Sequence, residues 1–168
     1  MPQKILIVDD SCPQHGLIKV ALEEQSVAFY SAFAGAFALK MAVLIQPDLI
    51  LLDVDMPEMN GFDVCRLLKA DPEARELPVI FLTAAASTNE KLCGFGLGVI
   101  DYIIKPFDPA ELCAHVRVVL GAIRAARSHS AGCGDARRER LRGMPPAQSR
   151  PRHRPSTDHL SDRASDNG

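Results

Sequence analysis

LILLDVDMPEMNG, residues 49–61, runs apolar and then stops at two acidic side chains, Asp53 and Asp55, followed at once by the turn formers Pro57 and Gly61. A buried, uncompensated carboxylate beside a core strand costs several kcal/mol, a sizeable part of the roughly 5–15 kcal/mol that holds a small domain together. The placement therefore calls for a reason. Around it lie five apolar runs in all, KILIV (4–8), VAFYS (27–31), DLILL (48–52), PVIFLT (78–83) and VIDYII (99–104). Near-continuous apolarity over so few residues predicts strands covered on both faces.

Segments of helical length separate the runs. Leu17, Val20, Ala21 and Glu24 show the three-and-four spacing of one helix, and Phe62, Cys65, Leu68 and Lys69 that of another, each with a charged residue marking its wet side. The last helix has Asp108 as N-cap, Pro109 at the first helical position and Glu111 three residues after the cap. Leu112, His115, Val116, Val119 and Leu120 then fall on one side. Strands alternating with helices predict an α/β fold: a doubly wound, five-stranded parallel sheet flanked by five helices.

At 168 residues and 47% hydrophobic, the chain has room for one domain with a real core and an appendage. No run approaches the 18 or so apolar residues of a membrane span, and the opening MPQK lacks a secretory pattern, so the expected location is cytoplasmic, away from membranes. Cys12, Cys65, Cys93, Cys113 and Cys133 are odd in number, show no C-x-x-C spacing and mostly sit among apolar neighbours, which reads as reduced, buried thiols rather than disulfides or a zinc site. The net charge of −2 conceals an asymmetry: residues 1–127 carry 11 Lys+Arg against 16 Asp+Glu, or −5, while residues 128–168 carry 8 against 5, or +3. An acidic front argues against a nucleic-acid surface there. Residues 128–168 turn to Arg, Ser, Pro, Gly, Asp and His, a composition that predicts a disordered tail after a domain of residues 1–127.

In an open parallel sheet, ligands gather beyond the carboxyl ends of the strands. The first strand ends at Asp9 and Asp10, the third at Asp53, the fourth at Thr83, and the fifth runs through Tyr102 to Lys105. Taken singly, each has an ordinary reading: a helix cap for Asp9-Asp10, a turn residue for Asp53, a strand-end hydroxyl for Thr83, a solvated lysine, a half-buried strand aromatic. Brought to one edge, three carboxylates within about 5 Å would push one another toward protonation unless a cation shares the site. All-oxygen ligands point to Mg²⁺, and Lys105 and Thr83 suit phosphoryl oxygens. The set fits phosphoryl transfer onto a carboxylate.

IVDD (7–10), LLDVDMPEMNG (51–61), PVIFLTA (78–84) and DYIIKPF (101–107), with the spacing from Asp53 to Thr83 to Lys105, closely resemble the receiver domains of two-component response regulators over about residues 3–125. The resemblance implies a flavodoxin-like, CheY-like fold with Asp53 as phosphoacceptor. Its phosphoryl group would come from a sensor histidine kinase or a histidine phosphotransfer protein. The metal ligands implied are Asp9, Asp10, Asp53 and the backbone carbonyl of Asp55, whose side chain would be a bystander or would tune how fast the phosphoryl group is lost. Lys105 and Thr83 would bind the phosphoryl group, Thr83 and Tyr102 would form the switch, and Pro57, Gly61 and Pro106 would shape the site, with Lys105–Pro106 cis. Val99 departs from the alanine commoner there. The implied protein is a phosphorelay switch rather than an enzyme. It would control an effector through the face of the fourth helix, fifth strand and fifth helix, a face that could also form a phosphorylation-dependent homodimer. Gly94, Gly96 and Gly98 in NEKLCGFGLG (89–98) predict that the fourth helix is the loosest, with Gly98 as its C-cap.

Three other readings stand beside this one. LKADPEARELPVIFLTA and KPFDPAEL look similar to receivers attached to cyclic-dinucleotide enzymes or hybrid kinases, so the chain could be the receiver piece of a larger regulator. A haloacid-dehalogenase-like phosphatase also places D-x-D after an apolar strand, but Met56-Pro57 and the upstream Asp9-Asp10 pair disfavour it. RRERLR (137–142) and RPRHRP (150–155) raise DNA binding, which Asp135, Glu139, Asp158 and the missing aromatics argue against.

Overall fold

The computed structural model describes residues 1–84 and 96–142, with side chains as far as residue 129. Five parallel strands, β1 (Gln3–Val8), β2 (Val27–Ala32), β3 (Leu49–Asp53), β4 (Val79–Thr83) and β5 (Asp101–Ile104), pair in the order β2-β1-β3-β4-β5. Four helices are described: α1 (Cys12–Ala21), α2 (Gly35–Ile45), α3 (Gly61–Ala70) and α4 (Pro109–Arg142), the last of the expected five. The expected fourth helix lies mostly outside the described residues. Of it, Gly98 is described and has φ +75°, the left-handed conformation expected of a helix-ending glycine.

Alternation along each central strand explains the continuous apolar runs. Leu6, Val8, Ile50, Leu52, Val79 and Phe81 pack on one face with Ala38 and Ala42 of α2 and Val64, Cys65 and Leu68 of α3. Ile5, Ile7, Leu49, Leu51, Ile80 and Leu82 face the other way, onto Ile18 of α1, Leu22 at its end, and Leu112 and Val116 of α4. All twelve of these strand residues are fully buried. Val99 is buried in the first cluster, so the larger side chain is accommodated by packing.

Caps fix the helix starts. The Asn60 side chain accepts from Asp63 N–H at 2.9 Å, and Asp108, as expected, accepts from Ala110 N–H at 2.7 Å. The inward stripe of α1 differs from the expected Leu17, Val20 and Ala21. His15, Ile18 and Leu22 turn in, while Leu17 is 42% and Val20 69% exposed. Two apolar stripes overlap on this helix, and the one that wins also gives the His15 ring a buried partner. His115 of α4 is not in the core either; it pairs with Asp101 of β5. α4 also runs past Arg127 to Arg142, into the segment expected to be disordered. Gly132 and Gly134 oppose helix there, but its last seven residues, ARRERLR (136–142), are all helix formers and no proline comes before Pro145, so local helix propensity outweighs the scarcity of apolar residues. The compact unit is Met1–Ser130, and a second begins at Ala131. Cys12, Cys65 and Cys113 are all free, but the expected burial holds only for Cys65: Cys113 is half-buried and Cys12, at the first position of α1, is exposed.

Candidate functional site

The sheet order creates the site. β1 is flanked by β2 on one side and β3 on the other, so the connections leaving β1 and β3 diverge and open a crevice at their carboxyl ends. Asp9 and Asp10 follow β1, Asp53 ends β3, Thr83 ends β4, and Lys105 follows β5. One carboxylate oxygen from each of Asp9, Asp10 and Asp53 lies within 4.8 Å of the others. Asp9 is fully buried and Asp53 is 2% exposed, whereas Asp10 is open to solvent.

A single cation serves the two buried carboxylates. Lys105 Nζ lies 2.9 Å from Asp9 Oδ2 and 3.0 Å from Asp53 Oδ1. Burial pushes the Asp53 carboxyl above its ordinary 3.8; the Lys105 hydrogen bond opposes this, and repulsion from Asp9 adds to it. Burial alone would lower Lys105, but hydrogen bonds and attraction from Asp9 and Asp53 leave it raised above 10.5. The pocket is thus under-compensated in positive charge. Its donor set, carboxylate oxygens with no His or Cys side chain among them, fits a hard divalent ion.

Close backbone packing fixes the end of β3 that carries Asp53. A Cβ on Gly61 would meet Asp53 O at 2.4 Å and Val54 Cα at 2.8 Å, so only glycine lets the start of α3 lie against the end of β3. Gly61 N–H donates to Val54 O at 3.0 Å, and Met59 N–H to Pro57 O at 2.7 Å, closing the turn. The Lys105–Pro106 bond is cis. Thr83 is buried, and its carbonyl accepts from Lys105 N–H at 2.7 Å. Tyr102, half-buried, sits 5.6 Å from Phe81, which meets Phe62 edge-on at 5.1 Å.

The residues expected at the site lie at this end of the sheet or in its loops, except Tyr102, which stands within β5 opposite Phe81. Asp55 was expected for its carbonyl, and His15 was missed. Asp55 is more than a bystander: its N–H donates to Asp53 Oδ1 at 3.2 Å, and its Oδ2 accepts from Ala84 N–H at 3.3 Å, tying the loops after β3 and β4 together. His15 reaches the Asp9 carbonyl from α1 at 2.8 Å. A histidine at three-residue spacing from Ile18 was its only signal in the sequence.

Fold and pocket together define a doubly wound α/β module with an acidic pocket at the carboxyl edge of its sheet. Residues 5–117 match the family model described as "Response regulator receiver domain", and the chain belongs to that family. It is 39% identical over 117 residues to the DNA-binding dual master transcriptional regulator RpaA of Synechocystis sp., covering 70% of this chain and 48% of RpaA. It is 41% identical over 117 residues to the response regulator PleD of Caulobacter vibrioides, covering 70% of this chain and 26% of PleD. The chain therefore spans from about a quarter to a half of the length of these curated relatives. Among solved structures, the chemotaxis protein CheY4 of Vibrio cholerae superposes with a TM-score of 0.67 at 28% identity, over 71% of this chain and 99% of that one. The signal receiver domain of a histidine kinase from Syntrophus aciditrophicus gives 0.65 at 38% identity, over 71% and 91%. No described helix is long and apolar enough to cross a membrane.

Proposed function

We propose that this protein is a phosphorelay switch in which Asp53 accepts a phosphoryl group from a phosphohistidine on a sensor histidine kinase or histidine phosphotransfer protein. One observation carries the reading: three carboxylates converge on a point where one shared ammonium is the partner of both buried ones. In the transfer, an Asp53 carboxylate oxygen bonds to phosphorus as the phosphorus–nitrogen bond to the imidazole breaks. The bonding pair stays on the ring nitrogen, which takes up a proton from solvent. Asp9, Asp10, Asp53 and the Asp55 carbonyl would hold Mg²⁺, which when bound supplies the positive charge the pocket lacks. The Lys105 ammonium orients the phosphoryl oxygens, and the Thr83 hydroxyl donates to one of them. Burial of Asp9 and Asp53 keeps water from competing with these contacts.

The acyl phosphate adds about one negative charge and strong acceptor oxygens at Asp53. Thr83 and Tyr102 carry this change toward the face of β5 and α4, where Ile100, Ile104 and Val118 are exposed around the Asp101–His115 pair. An effector bound there, or a second copy, would read the state. The likeness to PleD and to a kinase receiver domain favours a second role, as the receiver part of a larger regulator. The DNA binding in the name of RpaA belongs to a protein of which about half is matched, and it carries over no further than that.

Incubation with acetyl phosphate, with Mg²⁺ or with a chelator, tests the reading by intact mass. The wild type should take up one phosphoryl group only with Mg²⁺, and Asp53→Ala should fall to background. Equal uptake by Asp53→Ala sinks it.

A further inference from the structure

Asp9 lies one residue beyond β1, and each of its polar atoms has a partner. Its N–H donates to Ala32 O at 3.1 Å, Oδ1 accepts from Ser11 N–H at 2.8 Å, and Oδ2 accepts from Lys105 at 2.9 Å. The fourth atom, the carbonyl oxygen, turns away from the sheet to His15 Nε2 at 2.8 Å. A carbonyl only accepts, so Nε2 carries the hydrogen; in the neutral ring Nδ1 then accepts from the Ser31 hydroxyl at 3.0 Å. The ring is 3% exposed and stacks against Phe33, centroids 4.3 Å apart. One tautomer in one orientation therefore satisfies every neighbour.

That carbonyl belongs to the peptide joining Asp9 to Asp10, and the orientation of this peptide plane sets where both carboxylates project. We propose that His15 is a positioning residue for the metal pocket: by donating to the Asp9 carbonyl it locks the Asp9–Asp10 peptide, and with it the two carboxylates. Without the ring, a buried carbonyl loses its donor, and the peptide gains a reason to rotate toward water. Ser31, on the neighbouring strand β2, fixes the ring in turn. A hydrogen bond one layer behind a metal ligand acts on the metal in this way. The inference rests on the proposed function, since it needs the acidic cluster to bind a divalent ion.

Calorimetric titration of the full chain with Mg²⁺ tests it, comparing wild type, His15→Leu, His15→Gln and Ser31→Ala. His15→Leu should weaken Mg²⁺ binding by about tenfold or more, in line with other losses behind a ligand. His15→Gln, whose amide can donate to the same carbonyl, should recover most of the affinity, and Ser31→Ala should weaken it several-fold. At saturating Mg²⁺, phosphoryl uptake from acetyl phosphate should return toward the wild-type rate in all three, which separates lost affinity from lost fold. Wild-type Mg²⁺ affinity in His15→Leu, even with a lower melting temperature, overturns the proposal. If His15→Leu does not fold, wild-type affinity in Ser31→Ala overturns it instead. Absence of Mg²⁺ binding by the wild type overturns the pocket itself, and this role with it.

Discussion

The two ends of the sheet each bury an aspartate, and they treat it in opposite ways. At the amino end, Asp48 is 7% exposed and fully served: Lys4 N–H donates to one oxygen at 2.7 Å, and the Arg127 guanidinium meets the other at 2.5 Å. At the carboxyl end, Asp53 shares one ammonium with a second buried carboxylate, and a third stands beside them. Asp48 ties a strand start to a helix. Asp53 is held at a cost that packing alone does not explain. A buried charge with its own partners is structural, whereas one that shares its cation with a second buried carboxylate is the kind of place the proposed divalent ion would complete.

The sharpest way to break this contrast is to supply the missing charge. Asp53 is raised above 3.8, so its contribution to stability is present below that value and is lost as pH rises through the folded-state value. Mg²⁺ should therefore stabilise most near neutral pH, by about 2.7 kcal/mol at a hundredfold excess over Kd, and progressively less as acid protonates the pocket. Lys105, raised above 10.5, contributes stability below that value and loses it only as pH climbs through its folded-state value, so it does not confuse the acid side. Thermal melts across pH with and without Mg²⁺ measure this. A metal effect that grows as pH falls contradicts the account.

Removing each aspartate in turn gives the next effect. Asp48→Ala strips Lys4 N–H of its partner and should destabilise by about 2 kcal/mol, with phosphoryl uptake intact. The exposure of Arg127 keeps the loss below that of a fully buried pair. Asp53→Asn relieves the crowded pocket and should leave stability unchanged or raise it, with uptake gone. Denaturant midpoints at constant slope compare the two, and a greater loss for Asp53→Asn reverses the assignment of roles.

How much of this was legible beforehand depended on whether a local pattern had a rival. The five strands had none: each run was too short and too apolar for an amphipathic helix, and the observed strands depart from the quoted runs by at most a residue or two at an end, although only the central three are covered on both faces while the edge strands β2 and β5 are half-buried. The pocket followed, because strand ends in a parallel sheet share one edge. α1 had two candidate stripes, and the choice depended on whether His15 would find a buried acceptor, which only the tertiary structure supplies. Asp48 was taken as the first residue of a strand, and its guanidinium partner lies 79 positions along the chain, beyond any local pattern. The end of α4 was a contest between composition and helix propensity that no long-range contact could decide from the sequence.

Asp55 offers the smallest and most discriminating effect, because it is charged, close to Asp53 and exposed. Its Oδ2 accepts from Ala84 N–H at 3.3 Å, a bond that the amide oxygen introduced by Asp55→Asn can keep. Stability should then change by less than about 0.5 kcal/mol, as at other surface positions. What the substitution removes is a negative charge near the path by which water approaches an already anionic acyl phosphate. An exposed charge interaction is worth about 0.4–1 kcal/mol, which corresponds to a rate change of about two- to fivefold. Dephosphorylation of Asp55→Asn should therefore be faster by that factor, read as loss of the phosphorylated mass with time. A slower rate would mean that the Asp55 carboxylate assists the attacking water instead of repelling it, and an unchanged rate would return Asp55 to a purely structural tie between two loops.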